Sequence, residues 1–469
     1  MNLEYQKIDA TIVNLLKQII DEEDIFLDEE NLEKYGRDET EDLVFKPEIV
    51  LKPKTVLQIS EIMKLANAHK LPVTVRGAGT GLSGGALPIL GGIIISMERF
   101  KHILKIDERN LQATVEPGVI NYNFQEEVKK VGLFYPPDPA SWGSCSLGGN
   151  VAHSSGGPKA VKYGTTRDYV LNIEMVLPNG DIIWTGANTL KYSTGYNLTH
   201  LMVGSEGTLG IITKIVFKLI PLPKHDLLML VPFTSAEKAC EAVGATFRSG
   251  ITPSAMEFME RDAIDWSIKY AGEVNFKIKP EWQALLLIEV DGNNLDVLFN
   301  DCETINDIMI AHGCDEILMA DSAEQKASLW KIRRKVGEAV KSNSVYKEED
   351  TVVPRAELPV LLKGVKAIGE KYGFKSVCYG HAGDGNLHVN IIKGELSDEV
   401  WETELPKGIT EIFELCKKLG GTISGEHGIG LVQKDYLSIV FPAHQLLLMQ
   451  NIKKLFDPNL ILNPGKIVF

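Results

Sequence analysis

Apolar residues return at helical spacing between residues 6 and 34, where Ile12, Val13, Leu15, Leu16, Ile19 and Ile20 form a stripe along an acidic segment. A second amphipathic helix is predicted over residues 55–70, with Val56, Ile59, Ile62, Met63 and Ala66 on one face. Short apolar runs then alternate with turn residues. They predict strands at 72–76, 93–97 and 111–116, a helix near 124–131, and a hairpin over 172–185. That hairpin turns at Asn179-Gly180, two residues that accept positive φ. A strand at 213–220 precedes a break at Pro221 and Pro223, and the pattern restarts beyond it. It runs strand 227–233, a helix capped by Thr234 or Ser235, strands 256–259 and 285–290, helix 298–311, strand 316–320 and helix 323–341. This rhythm predicts an α+β fold whose second part is an antiparallel sheet with helices on one face. Four regions follow: a helical segment at 1–44, a first domain at 45–222, a second at 223–433, and a closing segment at 434–469 that returns to the first domain.

The length of 469 residues suits two or three domains, and 44% hydrophobic with 24% charged residues is ordinary for a globular chain. A formal charge of −14 argues against a broad nucleic-acid surface, which needs clustered Lys and Arg. Cys145, Cys240, Cys302, Cys314, Cys378 and Cys416 include no CxxC pair. They suit reduced thiols in a cytoplasm and offer no iron–sulfur or zinc-ribbon framework. No basic segment followed by an apolar run opens the chain, so secretion is not expected. No apolar stretch approaches the ~20 residues of a membrane span.

Arg76-Gly77-Ala78-Gly79-Thr80-Gly81-Leu82 lies between two predicted strands. Closely spaced glycines let backbone N–H groups approach phosphate oxygens, yet plain turn chemistry produces the same composition. A strand follows the loop, so it is not the GxGxxG entry to a helix, and no Gly-Lys-Ser/Thr ending makes it a Walker loop. Further clusters occur at Pro136–Ser141 and Ser146-Leu147-Gly148-Gly149-Asn150, with Ser154 beyond, then at Tyr163-Gly164-Thr165 and Gly204-Ser205-Glu206-Gly207-Thr208-Leu209-Gly210-Ile211. One extended diphosphate ligand would account for them together.

The segment Tyr379-Gly380-His381-Ala382-Gly383-Asp384-Gly385-Asn386-Leu387-His388-Val389-Asn390 reads as a hairpin with Asp384-Gly385 at its tip. Pairing counted from that tip sets His381 opposite His388 on one face, with Cβ atoms about 5 Å apart. Such a pair is either a divalent-cation site or two histidines satisfied by the fold. Ser424-Gly425-Glu426-His427-Gly428 adds a carboxylate and a further imidazole; neighbours in extended backbone point opposite ways, so Glu426 can ligate while His427 acts as a base. Arg333, in Trp330-Lys331-Ile332-Arg333-Arg334 on a predicted helix, offers a bidentate carboxylate contact, whereas a solvated basic face suits Lys331, Arg334 and Lys335.

The glycine segments resemble the FAD domain of the vanillyl-alcohol oxidase/p-cresol methylhydroxylase superfamily. The histidine and Glu-His segments resemble its D-2-hydroxyacid dehydrogenase branch, which includes glycolate oxidase flavin subunits, D-lactate dehydrogenases and D-2-hydroxyglutarate dehydrogenase. The resemblance implies a two-part FAD-binding domain and a substrate domain whose antiparallel sheet is covered by helices. It implies FAD contacts at Arg76, Gly77, Ala78, Gly79, Thr80, Gly81, Leu82, Pro137, Asp138, Ser141, Ser146, Gly149, Asn150, Ser154, Gly164 and Asn463, with Glu206, Gly210 and Ile211 against the adenine half. Thr80 stands where covalent relatives carry His, which implies non-covalent FAD. His381, His388 and Glu426 are the implied ligands of Zn or Mn, His427 the base, and Arg333 and Asn390 the substrate contacts. Gly337 and Glu348-Glu349-Asp350 depart from the hydroxyglutarate enzymes, so D-lactate or glycolate is favoured over a dicarboxylate. Electrons are expected to pass to an electron-transfer flavoprotein, an iron–sulfur subunit or a quinone. The rival readings are D-2-hydroxyglutarate dehydrogenase, an enolpyruvyl-sugar reductase, a flavin electron-transfer module and a metal hydrolase.

Overall fold

The computed structural model describes residues 4–40, 43–272, 278–320 and 322–468. The chain divides into two compact bodies. The first comprises Met1–Ser155, Thr165–Leu222 and Glu426–Phe469; the second comprises Gly156–Gly164 and Pro223–Gly425.

The first body contains two larger sheets. A four-stranded sheet is ordered Ile25–Phe26, Ile49–Leu51, Ile93–Ser96, Val73–Arg76, and the last three strands run parallel. The helix Val56–His69 covers it, burying Ile59, Ile62, Met63 and Ala66 against Ile49, Val73, Ile93 and Ile95. A capping box between Thr55 and Gln58 starts that helix, and Lys70 in the left-handed region stops it. The second sheet is antiparallel and five-stranded, ordered Ile103–Asp107, Gln112–Val115, Ile211–Lys218, Val170–Val176, Ile182–Trp184. Near the end of the chain Val73 N–H donates to Ile461 and Asn463 N–H donates to Val73, a parallel bridge that extends the first sheet.

The helical reading of residues 6–34 is corrected. Two seven-residue helices form there, Ala10–Leu16 and Glu29–Tyr35, with the strand Ile25–Phe26 between them. Asp9 and Asp28 each cap a new start, while the acidic run 21–24 would oppose the negative end of a continuing helix. Helix 323–341 likewise divides at Lys335 into Ala323–Arg334 and Val336–Asn343.

The second body is a seven-stranded antiparallel sheet, ordered Leu318–Met319, His225–Phe233, Ala284–Gly292, Ala255–Glu260, Lys375–Gly380, Asn386–Ile392, Tyr346–Val352. Its central strands are buried at successive positions, so both faces are covered rather than one. On one face Leu285, Leu287 and Met259 pack against Ala263, Ile264, Ile332, Val336 and Val340 of three helices. The segment Gly156–Gly164 is fastened to the same body by ion pairs from Lys159 to Glu289 and Lys162 to Asp291.

The histidine hairpin also differs from its expected register. Tyr379, not His381, lies opposite His388, and the connection is a short 3-10 turn, Ala382–Asp384, closed by Gly385 at positive φ. Gly385 has no room for a side chain, because the Val353 carbonyl lies against it. The tip therefore closes by a longer route than a two-residue turn. Positions 379 and 381 share a parity, so the shift keeps His381 on the His388 side of the sheet.

Candidate functional site

In the second body, the strands Lys375–Gly380, Asn386–Ile392 and Tyr346–Val352 bring Tyr379, His388, Asn390, Glu348 and Asp350 to one face through their register. The His381 and His388 rings lie 5.5 Å apart between centroids and are nearly perpendicular. His381 Nδ1 is 2.9 Å from both oxygens of Glu257, a wholly buried carboxylate that orients the ring. His388 Nδ1 is 3.3 Å from Glu348. Asp350 accepts from Asn386 Nδ2 at 2.7 Å, the Ser424 hydroxyl at 3.0 Å and the Gly425 amide at 2.8 Å, so neutral donors stabilise its charge.

Arg333 lies in the last turn of the helix Ala323–Arg334, buried with Leu329 and Ile332, whereas Lys331 is exposed. Its Nη2 lies 2.7 Å from Glu257, and its guanidinium sits 5.1 Å from the Tyr379 ring centroid. Burial pushes the Glu257 carboxyl up, but His381 and Arg333 outweigh that and hold it below the usual carboxylate range. Burial and the neighbouring Glu348 raise the Tyr379 phenol far above its ordinary value, so it remains a neutral donor. Arg333 Nε has no hydrogen-bond partner among the described residues, and the amide of the fully buried Asn390 lies near the Tyr379 phenol without a well-formed hydrogen bond. Buried polar atoms left this way call for a ligand.

In the first body the loop Arg76–Leu82 follows the strand Val73–Arg76. A cavity of about 390 Å³ opens beside it, lined in part by Gly77, Ala78, Ser146, Gly118 and Lys101. The Ala78 amide donates to Ser146 Oγ at 3.3 Å, and a Cβ on Gly77 would collide with that oxygen. Two glycines and Lys101 in this lining suit a diphosphate, with Glu98 the one acidic side chain among them. Thr80 is half-buried; Gly81 and Gly85 face His153. Pro137 accepts from Asn121 and Gln125, Asp138 is buried, Ser141 accepts the Cys145 amide, and Asn150 pairs with Asn121. Gly149 lies against Ser146, and Ser154 ends its helix at φ +56°. Gly79 lies against the Arg76 guanidinium. Gly164 ends the short helix Ala160–Tyr163 in the second body.

Four expected contacts are engaged within the protein. Asn463 Nδ2 donates to the Gly85 and Glu206 carbonyls, and its Oδ1 accepts from Lys466. Glu206 accepts the Ile429 and Gly430 amides at 2.8 and 2.7 Å. Ile211 is fully buried in the core, and Gly210 admits the close approach of Met175. Glu426 and His427 open the last segment of this body, directly after Gly425 in the chain.

A model of the FAD binding domain matches residues 47–186, and one of the C-terminal domain of FAD linked oxidases matches 222–467. D-lactate dehydrogenase of Anaerostipes hadrus is 36% identical over 473 residues, covering 99% of each chain. The chain belongs to the FAD-linked oxidase family. Glycolate oxidase subunit GlcD of Bacillus subtilis is 38% identical across 86% of this chain and 85% of its own. The solved structure of p-cresol methylhydroxylase with substrate bound has the same fold, with a TM-score of 0.79 at 19% identity over 97% of this chain and 96% of that one.

This FAD-linked oxidase is therefore an FAD-dependent oxidoreductase. Among its described residues no helix is long and apolar enough to cross a membrane. Sequence reasoning missed Glu257 and Asn386, and took Glu348 and Asp350 only as a crowded acidic stretch. Glu257 carried a signal: a lone charge inside the apolar strand Met256-Glu257-Phe258-Met259.

Proposed function

We propose that this FAD-linked oxidase oxidises a small D-2-hydroxy monocarboxylate, D-lactate or glycolate, to the 2-oxo acid. The observation that carries the reading is the unpartnered Nε of buried Arg333 in the same body as the neighbouring rings of His381 and His388. The chain's similarity to the D-lactate dehydrogenase of Anaerostipes hadrus and the glycolate oxidase subunit of Bacillus subtilis supports it.

The donor set suits a divalent cation. Metal-ligating histidines usually pass their second N–H to a carboxylate, as His381 does to Glu257. His381, His388 and Glu426 would hold the ion; Glu426 begins one peptide step, about 3.8 Å, beyond Gly425, which Asp350 anchors. Zn or Mn there supplies polarisation of the substrate hydroxyl. FAD, held non-covalently, supplies the hydride acceptor. Arg333 takes the substrate carboxylate in a charge-assisted contact, and Asn390 donates to it from the neighbouring strand. His427 receives the hydroxyl proton. Glu348, half-buried beside His388, repels a second substrate carboxylate. Electrons then leave to a separate acceptor, an electron-transfer flavoprotein, iron–sulfur subunit or quinone. The unpaired thiols support a reducing cytoplasm.

Anaerobic titration of the yellow protein with D- and L-2-hydroxy acids tests this. D-lactate or glycolate should bleach the flavin absorbance, and chelation should slow bleaching without releasing FAD. Faster reduction by D-2-hydroxyglutarate would overturn the monocarboxylate reading; full activity after complete metal removal would overturn the ligand set.

A further inference from the structure

Successive N–H groups in turns with positive φ form concavities that bind anions. The loop after His427 is built this way: Gly428 has φ +85° and Gly430 φ +48°, and the intervening amides of Ile429 and Gly430 point to one acceptor. That acceptor is the Glu206 carboxylate, one oxygen to each amide, at 2.8 and 2.7 Å. Glu206 is almost fully buried and has φ +50°, an uncommon conformation for a residue with a side chain. Its backbone is fixed at both ends, the amide on the Ala152 carbonyl at 2.8 Å and the carbonyl on Asn463 Nδ2 at 2.8 Å. On the other side of the loop, the Leu431 amide donates to the Ser83 carbonyl at 2.7 Å.

A carboxylate so immobilised is a template for the loop rather than a spare charge. Glutamine would turn an NH2 group toward one of the two N–H donors, and aspartate is one methylene too short to keep both bonds. Neither could hold the loop as glutamate does. We infer that Glu206 is a positioning residue that sets the His427-bearing loop by clamping the Ile429 and Gly430 amides. The inference rests on the reading of His427 as the base.

The test uses the full-length FAD-loaded protein with D-lactate or glycolate, whichever bleaches it, and compares Glu206→Gln, His427→Ala and the double variant. Glu206→Gln should keep its FAD and its KM within about twofold while the flavin-reduction rate falls roughly tenfold or more. Hydrogen exchange at the Ile429 and Gly430 amides should accelerate. Adding Glu206→Gln to His427→Ala should cost nothing further, because the clamp acts through that imidazole. Loss of FAD from Glu206→Gln, an unchanged rate, or losses that multiply in the double variant would each overturn the clamp. Full turnover in His427→Ala would instead overturn the base assignment, a separate result. If Glu206→Gln does not fold, Gly428→Ala serves, since its Cβ would lie 2.7 Å from Glu206 Oε1 and push the loop away. It should show the same fall in rate with FAD retained; a normal rate would overturn the clamp.

Discussion

The two bodies organise polar chemistry by opposite means. In the first, backbone does it: glycine turns, a carboxylate on paired amides, and side chains such as Asn463 that bond to carbonyls. In the second, charged side chains converge on a sheet face, where Glu257 joins Arg333 to His381. Backbone cradles tolerate changes of side chain but not of volume. Buried charges tolerate modest changes of volume but not loss of a partner.

The largest effect should come from the imidazole of His427. His427→Ala should lower the rate of flavin reduction by about 10²–10⁴-fold while the protein stays yellow, checked by anaerobic stopped-flow absorbance. Glu257→Ala should follow. Leaving Arg333 buried without its counter-charge costs about 3–5 kcal/mol, seen as a lower urea midpoint. Gly77→Ala should cost about 1–3 kcal/mol by crowding Ser146, and should also speed FAD release in dialysis. If Gly77→Ala and the nearly isosteric Glu257→Gln both prove costly, the contrast between the bodies is sharpened; a harmless outcome for either breaks it.

A pH experiment isolates one charge buried in the first body. Burial pushes Lys466 down to about 7, although its Nζ still donates to the Gly85 carbonyl at 2.7 Å. The unfolded chain titrates this lysine near 10.4, so between the two values it binds more protons than the folded protein. This contribution therefore raises stability as pH climbs from about 7 toward about 10.4, and is at its most unfavourable below that window. Urea midpoints at pH 7 and 9 should show the slope, and Lys466→Met should flatten it. The smallest effect belongs to Leu57→Gln on the exposed side of the helix Val56–His69, within about 0.5 kcal/mol.

The same contrast explains what was legible in the sequence. Helix 55–70 and the hairpin at Asn179-Gly180 were visible because their signals are local: a period, a cap, a turn pair. The glycine loop was visible for the same reason. Glu257 was not, because its meaning depends on Arg333 and His381, which lie far along the chain and meet only through strand order. The histidine register missed because a two-residue turn was assumed, whereas Gly385 must pass beneath the Val353 carbonyl of a third strand's exit. The motif around Glu206 shows that the backbone turns there, not which amides its carboxylate meets.

The bridge from Val73 to Leu462 has a consequence for the order of folding. On the ribosome, the strand Val73–Arg76 waits with an open edge until residues 461–463, made long after it, emerge. The second body, mostly one continuous stretch from Pro223 to Gly425, can close before then. Until Ile461 and Asn463 dock, that edge is a template for any passing strand, so mispairing is favoured throughout the interval between the two segments.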